Sequence, residues 1–107
     1  FFLKLQMKKK SSKTLDIPAL NLAAEFLKVI AHPSRLQIVQ LLVTGKQYSV
    51  NELAEICKLT QPSTSDHLRL MQRCGFLTST REGRTVYYEI LETDLHDLMS
   101  FIQKRFG

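Results

Sequence analysis

Only two of the 107 residues are cysteine, Cys57 and Cys74, too few for a disulfide framework. A cytoplasmic location is the matching expectation. Four glycines are present and they lie far apart, which excludes a glycine loop of the kind that cradles phosphates. No apolar run approaches the roughly 20 residues that a membrane span needs. Phe1-Phe2-Leu3 is too short for a secretory leader, and its lysines follow it instead of preceding it. Acidic residues are scarce as well, ten against fifteen lysines and arginines, for a formal net charge of +5. That balance favours a polyanionic partner, and no paired acidic site of a hydrolytic enzyme is visible. Ser65 and His67 stand two apart on what reads as one helix, so they diverge and make no nucleophile–base pair. No enzymatic activity and no cofactor are expected.

What is present suits a single small domain, with 44% hydrophobic residues. Residues 1–14, carrying Lys4, Lys8, Lys9, Lys10 and Lys13, read as a flexible basic tail, or alternatively as an arm that touches phosphates. Residues 15–107 read as the folded domain. From Leu15 to Ala31 two apolar stripes recur at helical spacing. One holds Leu20, Ala23, Ala24, Leu27 and Ala31; the other holds Leu22, Phe26, Val29 and Ile30. Two apolar faces require two partners, the home core and something else. Pro33, preceded by His32, suits the first turn of a second helix filled by Leu36, Ile38, Val39, Leu41 and Leu42 and ended by Gly45.

Tyr48-Ser49-Val50 then looks like a short strand, with Asn51 as N-cap of a third helix. Thr60 caps a fourth helix, 61–74, with Pro62 in its first turn and Gly75 closing it. Leu68 and Met71 should anchor that helix to the core. Phe76–Arg81 and Thr85–Ile90 alternate as a hairpin through Glu82-Gly83-Arg84, Val86 and Tyr88 on one face and Tyr87 on the other. A last helix from about Thr93 carries Leu95, Leu98, Met99, Ile102 and Phe106, with Phe101 off that stripe. The fold class is therefore mainly α with a small β-hairpin wing, in the order α-α-(β)-α-α-β-β-α: a winged helix-turn-helix. The first and last helices have apolar surface to spare and would make a homodimer seam.

Several segments together resemble the ArsR/SmtB family of bacterial winged-helix repressors, most of all its metal-independent branch. They are 31–39 (AHPSRLQIV), 50–54 (VNELA), 61–68 (QPSTSDHL) and 81–88 (REGRTVYY). The resemblance covers nearly everything from Ala24 to Phe106, and the order and spacing of the segments make it specific. It implies a homodimer that binds operator DNA and releases it on a metal or redox signal. The family's sensors are incomplete here. The redox pair would need cysteine at Gln40 and on the last helix, and the thiolate metal site would need cysteine near Ser49. Asp94-Leu95-His96 matches half of the site on the last helix, and two ligands do not complete the tetrahedral set zinc prefers. No metal site is expected beyond that weak half, Asp94 with His96. Asp94 and Asp97 also suit the first turn of an ordinary helix through its dipole, with His96 on the surface.

The DNA-reading chemistry falls on particular residues. A recognition helix needs short polar side chains at its N-terminal end, and Gln61, Ser63, Thr64 and Ser65 have that character. Gln suits a bidentate contact to adenine, whereas hydroxyls read bases less discriminately. His67 reads equally as a DNA-backbone contact or a structural histidine. Arg69 and Arg73 continue the exposed face toward phosphates or plain solvent. Arg84, beside Gly83 at the wing tip, suits a minor groove or its flanking phosphates, with Arg81 bracing the same strand. Charged turns also protect hairpins from edge pairing. Arg35 reads as a structural pairing residue. Cys57 and Cys74 suit small apolar filling, with Cys74 next to Arg73 as the candidate for a thiol sensor. The function expected is a sequence-specific double-stranded DNA-binding transcriptional regulator. The alternatives are a winged helix used for protein–protein contact, or a thiol- or metal-responsive member of the same family. One oddity is Lys58, which stands where the turn between the two helices usually has glycine.

Overall fold

The computed structural model describes residues 14–107, so the expectations about the basic tail, residue 14 apart, lie outside the described residues. Among these residues the order is α1 (Ile17–Ile30), α2 (Pro33–Leu42), β1 (Tyr48–Ser49), α3 (Val50–Cys57), α4 (Gln61–Arg73), β2 (Leu77–Glu82), β3 (Thr85–Ile90) and α5 (Leu95–Phe106). The sheet is antiparallel in the order β1-β3-β2. This is the winged helix-turn-helix, mostly helical with a three-stranded sheet.

Helices α1 to α4 each begin where a side chain satisfies an orphan backbone N–H. Asp16 caps α1, accepting from the Ala19 amide at 3.0 Å. His32 caps α2 through Nδ1, which accepts from Ser34 N–H at 3.1 Å. The cap of α3 differs from the expected Asn51. Ser49 Oγ accepts from the Glu52 amide at 3.1 Å, and the Glu52 carboxylate accepts from the Ser49 amide at 2.8 Å. The pattern Ser49-x-x-Glu52 satisfies two donors reciprocally, which a lone Asn51 would not. Thr60 caps α4 as expected.

Helices α3 and α4 each end in a residue of positive φ, as α2 does at Gly45 with φ +91°. Gly75, with φ +86°, follows α4, and its amide reaches Gln72 O while that of Phe76 reaches Met71 O. Lys58 does the same after α3 with φ 58° and ψ 45°, its amide on Glu55 O at 3.3 Å and that of Leu59 on Ala54 O at 2.9 Å. A lysine thus holds a conformation that favours glycine. The hairpin turn is shorter than expected: Glu82 pairs with Thr85, leaving Gly83-Arg84 as a two-residue loop with Gly83 at φ +64°.

The core gathers Ile38, Val39 and Leu42 of α2, Leu53 of α3, Leu68 and Met71 of α4, and Leu95 and Met99 of α5. Phe76 fills its centre, fully buried, with its ring centroid 4.5 Å from that of Phe26. Burying side chains of this size is worth about 1.5–3 kcal/mol apiece. The second stripe expected on α1 splits. Phe26, Val29 and Ile30 meet the core, but Leu22 is 60% exposed. Leu20 and Leu27 remain outside too. On α5, Phe106 leaves the expected core stripe and is 76% exposed, because the helix passes beyond the last core layer at Ile102. Phe101 is likewise exposed.

Candidate nucleic-acid interface

Helix α4 divides cleanly by period. Thr64, Leu68 and Met71 are fully buried on one side, while Gln61, Asp66, Arg69 and Arg73 are exposed on the other and Ser63, Ser65 and His67 are half-buried. Thr64 therefore corrects the expectation of a DNA-facing hydroxyl. Its Oγ1 donates to Thr60 O at 2.8 Å inside the helix start, where no base edge can reach it. A polar type in a polar stretch concealed its inward phase.

The start of α4 meets the wing. Gln61 and Arg84 line one shallow cleft of about 160 Å³, together with Ser49, Val50, Asn51, Thr85 and Val86. Asn51, assigned to a cap from its type, is instead an exposed amide inside that cleft. Sequence reasoning missed this because the strand β1 and the wing strand β3 are joined only by tertiary pairing, Ser49 opposite Tyr87. Arg81 is exposed on β2 opposite Val86. A second tie between helix and wing was also missed: Gln72 Nε2 donates to Ser79 Oγ at 3.1 Å.

The basic side chains of α4 are not all free. Arg69 Nη2 donates to Asp66 at 2.6 Å, an exposed pair one turn apart. A pair this exposed adds little to stability and can open toward a phosphate at small cost. His67 is engaged more deeply. Its Nδ1 accepts from Arg35 Nε at 3.0 Å, and its ring centroid lies 4.8 Å from that of His32. Arg35 also donates through Nη1 to Val29 O at 2.9 Å. Burial pushes the His67 pKa down, as do the charges of Arg35 and His32, while Asp66 opposes them.

These features, two helices joined by a tight left-handed turn and a basic hairpin beside the second, agree with known proteins. The family model for bacterial regulatory proteins of the arsR family matches residues 32–79. The uncharacterized HTH-type transcriptional regulator Rv0081 of Mycobacterium tuberculosis is 34% identical over 88 residues, covering 81% of this chain and 76% of that protein. The chain belongs to the ArsR family. It is a winged helix-turn-helix transcriptional regulator that binds DNA. The crystal structure of Rv0081 superposes with a TM-score of 0.75 at 33% identity, covering 84% of this ArsR-family chain and 90% of the other. The transcriptional repressor PagR of Bacillus anthracis is 43% identical over 67 residues, 63% of this chain and 67% of that one. The solution structure of Mb0332 from Mycobacterium bovis, described as a homodimeric winged helix-turn-helix DNA-binding domain, matches with TM-score 0.72 at 27% identity, covering 88% of each chain.

The sensor candidates of this ArsR-family regulator remain separate residues. Among the described residues no group of three or more His, Cys, Asp or Glu side chains could hold a metal ion. Asp94 stands at the cap position of α5 without a side-chain cap bond, and His96 is exposed. Cys57 and Cys74 are both free thiols, half-buried against the core. Burial pushes the Cys57 thiol up, which makes it less nucleophilic.

Proposed function

We propose that this regulator acts as a homodimeric repressor, with Gln61, Ser63 and Ser65 of α4 entering the major groove and Arg84 meeting the minor groove or its phosphates. The observation that carries the proposal is the shared cleft: Gln61 and Arg84, 23 positions apart in sequence, border the same space. A base-reading amide and a phosphate-seeking guanidinium are thus set side by side. Arg81 and Arg69 flank them, and Asn51 joins them from α3. Repression follows the description of PagR, and the dimer follows that of Mb0332. The dimer seam proposed is the apolar surface left outside the core, Leu20 and Leu27 on α1 with Phe101 and Phe106 on α5. Two α4 helices would then lie about 34–36 Å apart, one turn of DNA. No helix among the described residues is long and apolar enough to cross a membrane, and a cytoplasmic location is proposed with the DNA-binding role.

The test is a fluorescence-anisotropy titration against duplex DNA from the adjoining promoter region at several salt concentrations. Affinity should fall steeply with salt. Gln61→Ala should cost about 1–3 kcal/mol on the preferred sequence and relax specificity. Arg84→Ala should weaken all sequences alike and reduce the salt slope by about one. Affinity indifferent to salt, or untouched by both substitutions, would refute this assignment of the interface.

A further inference from the structure

One guanidinium connects three elements. Arg35, on α2, donates through Nη1 to the Val29 carbonyl near the end of α1 and through Nε to the His67 ring on α4. Val29 packs against the core from α1, and α1 is also the helix whose outer face stays apolar and exposed. His67 lies midway along the helix that carries Gln61 and Arg69. The bridge therefore runs from the proposed dimer helix to the reading helix, across 32 residues of sequence between Arg35 and His67.

The chemistry of this bridge depends on one proton. Because Nδ1 accepts from Arg35, the neutral His67 ring carries its hydrogen on Nε2. A protonated ring would have to place a second N–H at Nδ1, facing the guanidinium N–H already there. Two donors cannot share that line, and both groups would be cations. We infer that Arg35 is a positioning residue for DNA reading: it fixes α4 against the end of α1 only while His67 is neutral, so DNA binding weakens on acidification. This rests on the DNA-binding reading and adds a proton linkage to it.

The surrounding charges agree. From the α1–α2 link His32 faces the same ring, and from α2 Arg35 does so. Both disfavour a proton on His67, as does burial, which comes first. Asp66 on the same helix acts in the other direction, but it is itself paired with Arg69. The charged residues of α1, Glu25 and Lys28, pair with each other at the surface. The sign of the effect is diagnostic. Histidines that merely gained charge would strengthen binding to a polyanion at low pH. The Arg35–His67 bridge requires the reverse.

The experiment uses the full chain and a duplex of about 30 base pairs, selected by it from a randomised library at about pH 8. Dissociation constants are then measured at fixed salt down to about pH 5.5. The wild type should weaken by about tenfold, the loss of one hydrogen bond to a charged group. Arg35→Ala should already be weak at the upper pH and show no further acid loss. His67→Gln keeps an acceptor for Arg35 but cannot take up a proton, so its affinity should not fall on acidification. Wild-type binding that is flat or stronger at low pH would overturn the inference, as would equal acid loss in His67→Gln. Nitrogen chemical shifts of the His67 ring give a readout independent of the variants. The Nε2–H tautomer at the upper pH supports the bridge, and the Nδ1–H tautomer refutes it. Failure to select any duplex would instead remove the DNA-binding reading on which the inference stands.

Discussion

Lys58→Gly should make the protein more stable, although it deletes a long side chain beside α4, the proposed DNA-reading helix. Lys58 sits at φ 58° and ψ 45°, where an L residue with a Cβ is strained by about 1–2 kcal/mol. Glycine relieves that strain but loses more backbone freedom on folding, about 0.5–1 kcal/mol. The difference is a gain of roughly 0.5–1 kcal/mol. Nothing else needs to change. The exposed lysine side chain makes no hydrogen bond or ion pair with the other described residues. The bonds that close the turn, from the amides of residues 58 and 59 to Glu55 O and Ala54 O, belong to the backbone. For a domain of this size the gain corresponds to a melting temperature higher by roughly 3–6 °C. Thermal and urea unfolding should be compared at one protein concentration, since the proposed dimer would make apparent stability concentration-dependent. Lys58→Asn should fall between lysine and glycine, and Lys58→Val should be worse than lysine. If Lys58→Gly is neutral or destabilising while Lys58→Val is tolerated, the residue is not left-handed in solution and the reasoning fails.

Three further outcomes are expected. Thr64→Val should leave DNA affinity unchanged and lower stability by no more than about 1 kcal/mol, because Thr60 O still accepts the Thr64 amide. A loss of affinity comparable with that of Gln61→Ala would show the hydroxyl to be outward-facing. Stability should fall as pH drops below about 6.5, since His67 in the fold binds its proton less readily than in the unfolded chain. The unfolded state then holds more protons across the window beneath that value. The contribution is complete above the window and lost through it, so the urea midpoint should decline less in His67→Gln. Leu27→Glu with Phe101→Glu, both at exposed positions, should give a folded monomer by light scattering and circular dichroism. A dimer that survives this pair of changes forms elsewhere.

Much of the architecture was legible because the signals were local and mutually consistent. Thr60 before Gln61-Pro62 announced the start of α4, Gly75 its end, and the spacing of Leu68 and Met71 its buried face. Errors arose where residue type and phase disagreed. Thr64 is polar by type yet takes the inward position four residues before Leu68, and Asn51 is a good cap residue displaced by the reciprocal pair Ser49 and Glu52. Leu22 and Phe106 are apolar by type but point past the core. Hydrophobicity reports that a side chain prefers burial; it does not say whether this chain or a second copy supplies the partner.

Local patterns in the chain encode the elements, their order, the polar start of α4 and the basic tip of the wing. Each of these depends on neighbours within a few residues, where capping, turn chemistry and helical period act directly. The tertiary structure alone decided what lies across from what. It brought Gln61 and Arg84 to one cleft through the pairing of β1 with β3, and it joined Val29, Arg35 and His67 into one bridge. Both arrangements depend on distances between residues far apart in the chain. Such distances are set by packing around Phe76 and its neighbours, and no local pattern encodes them.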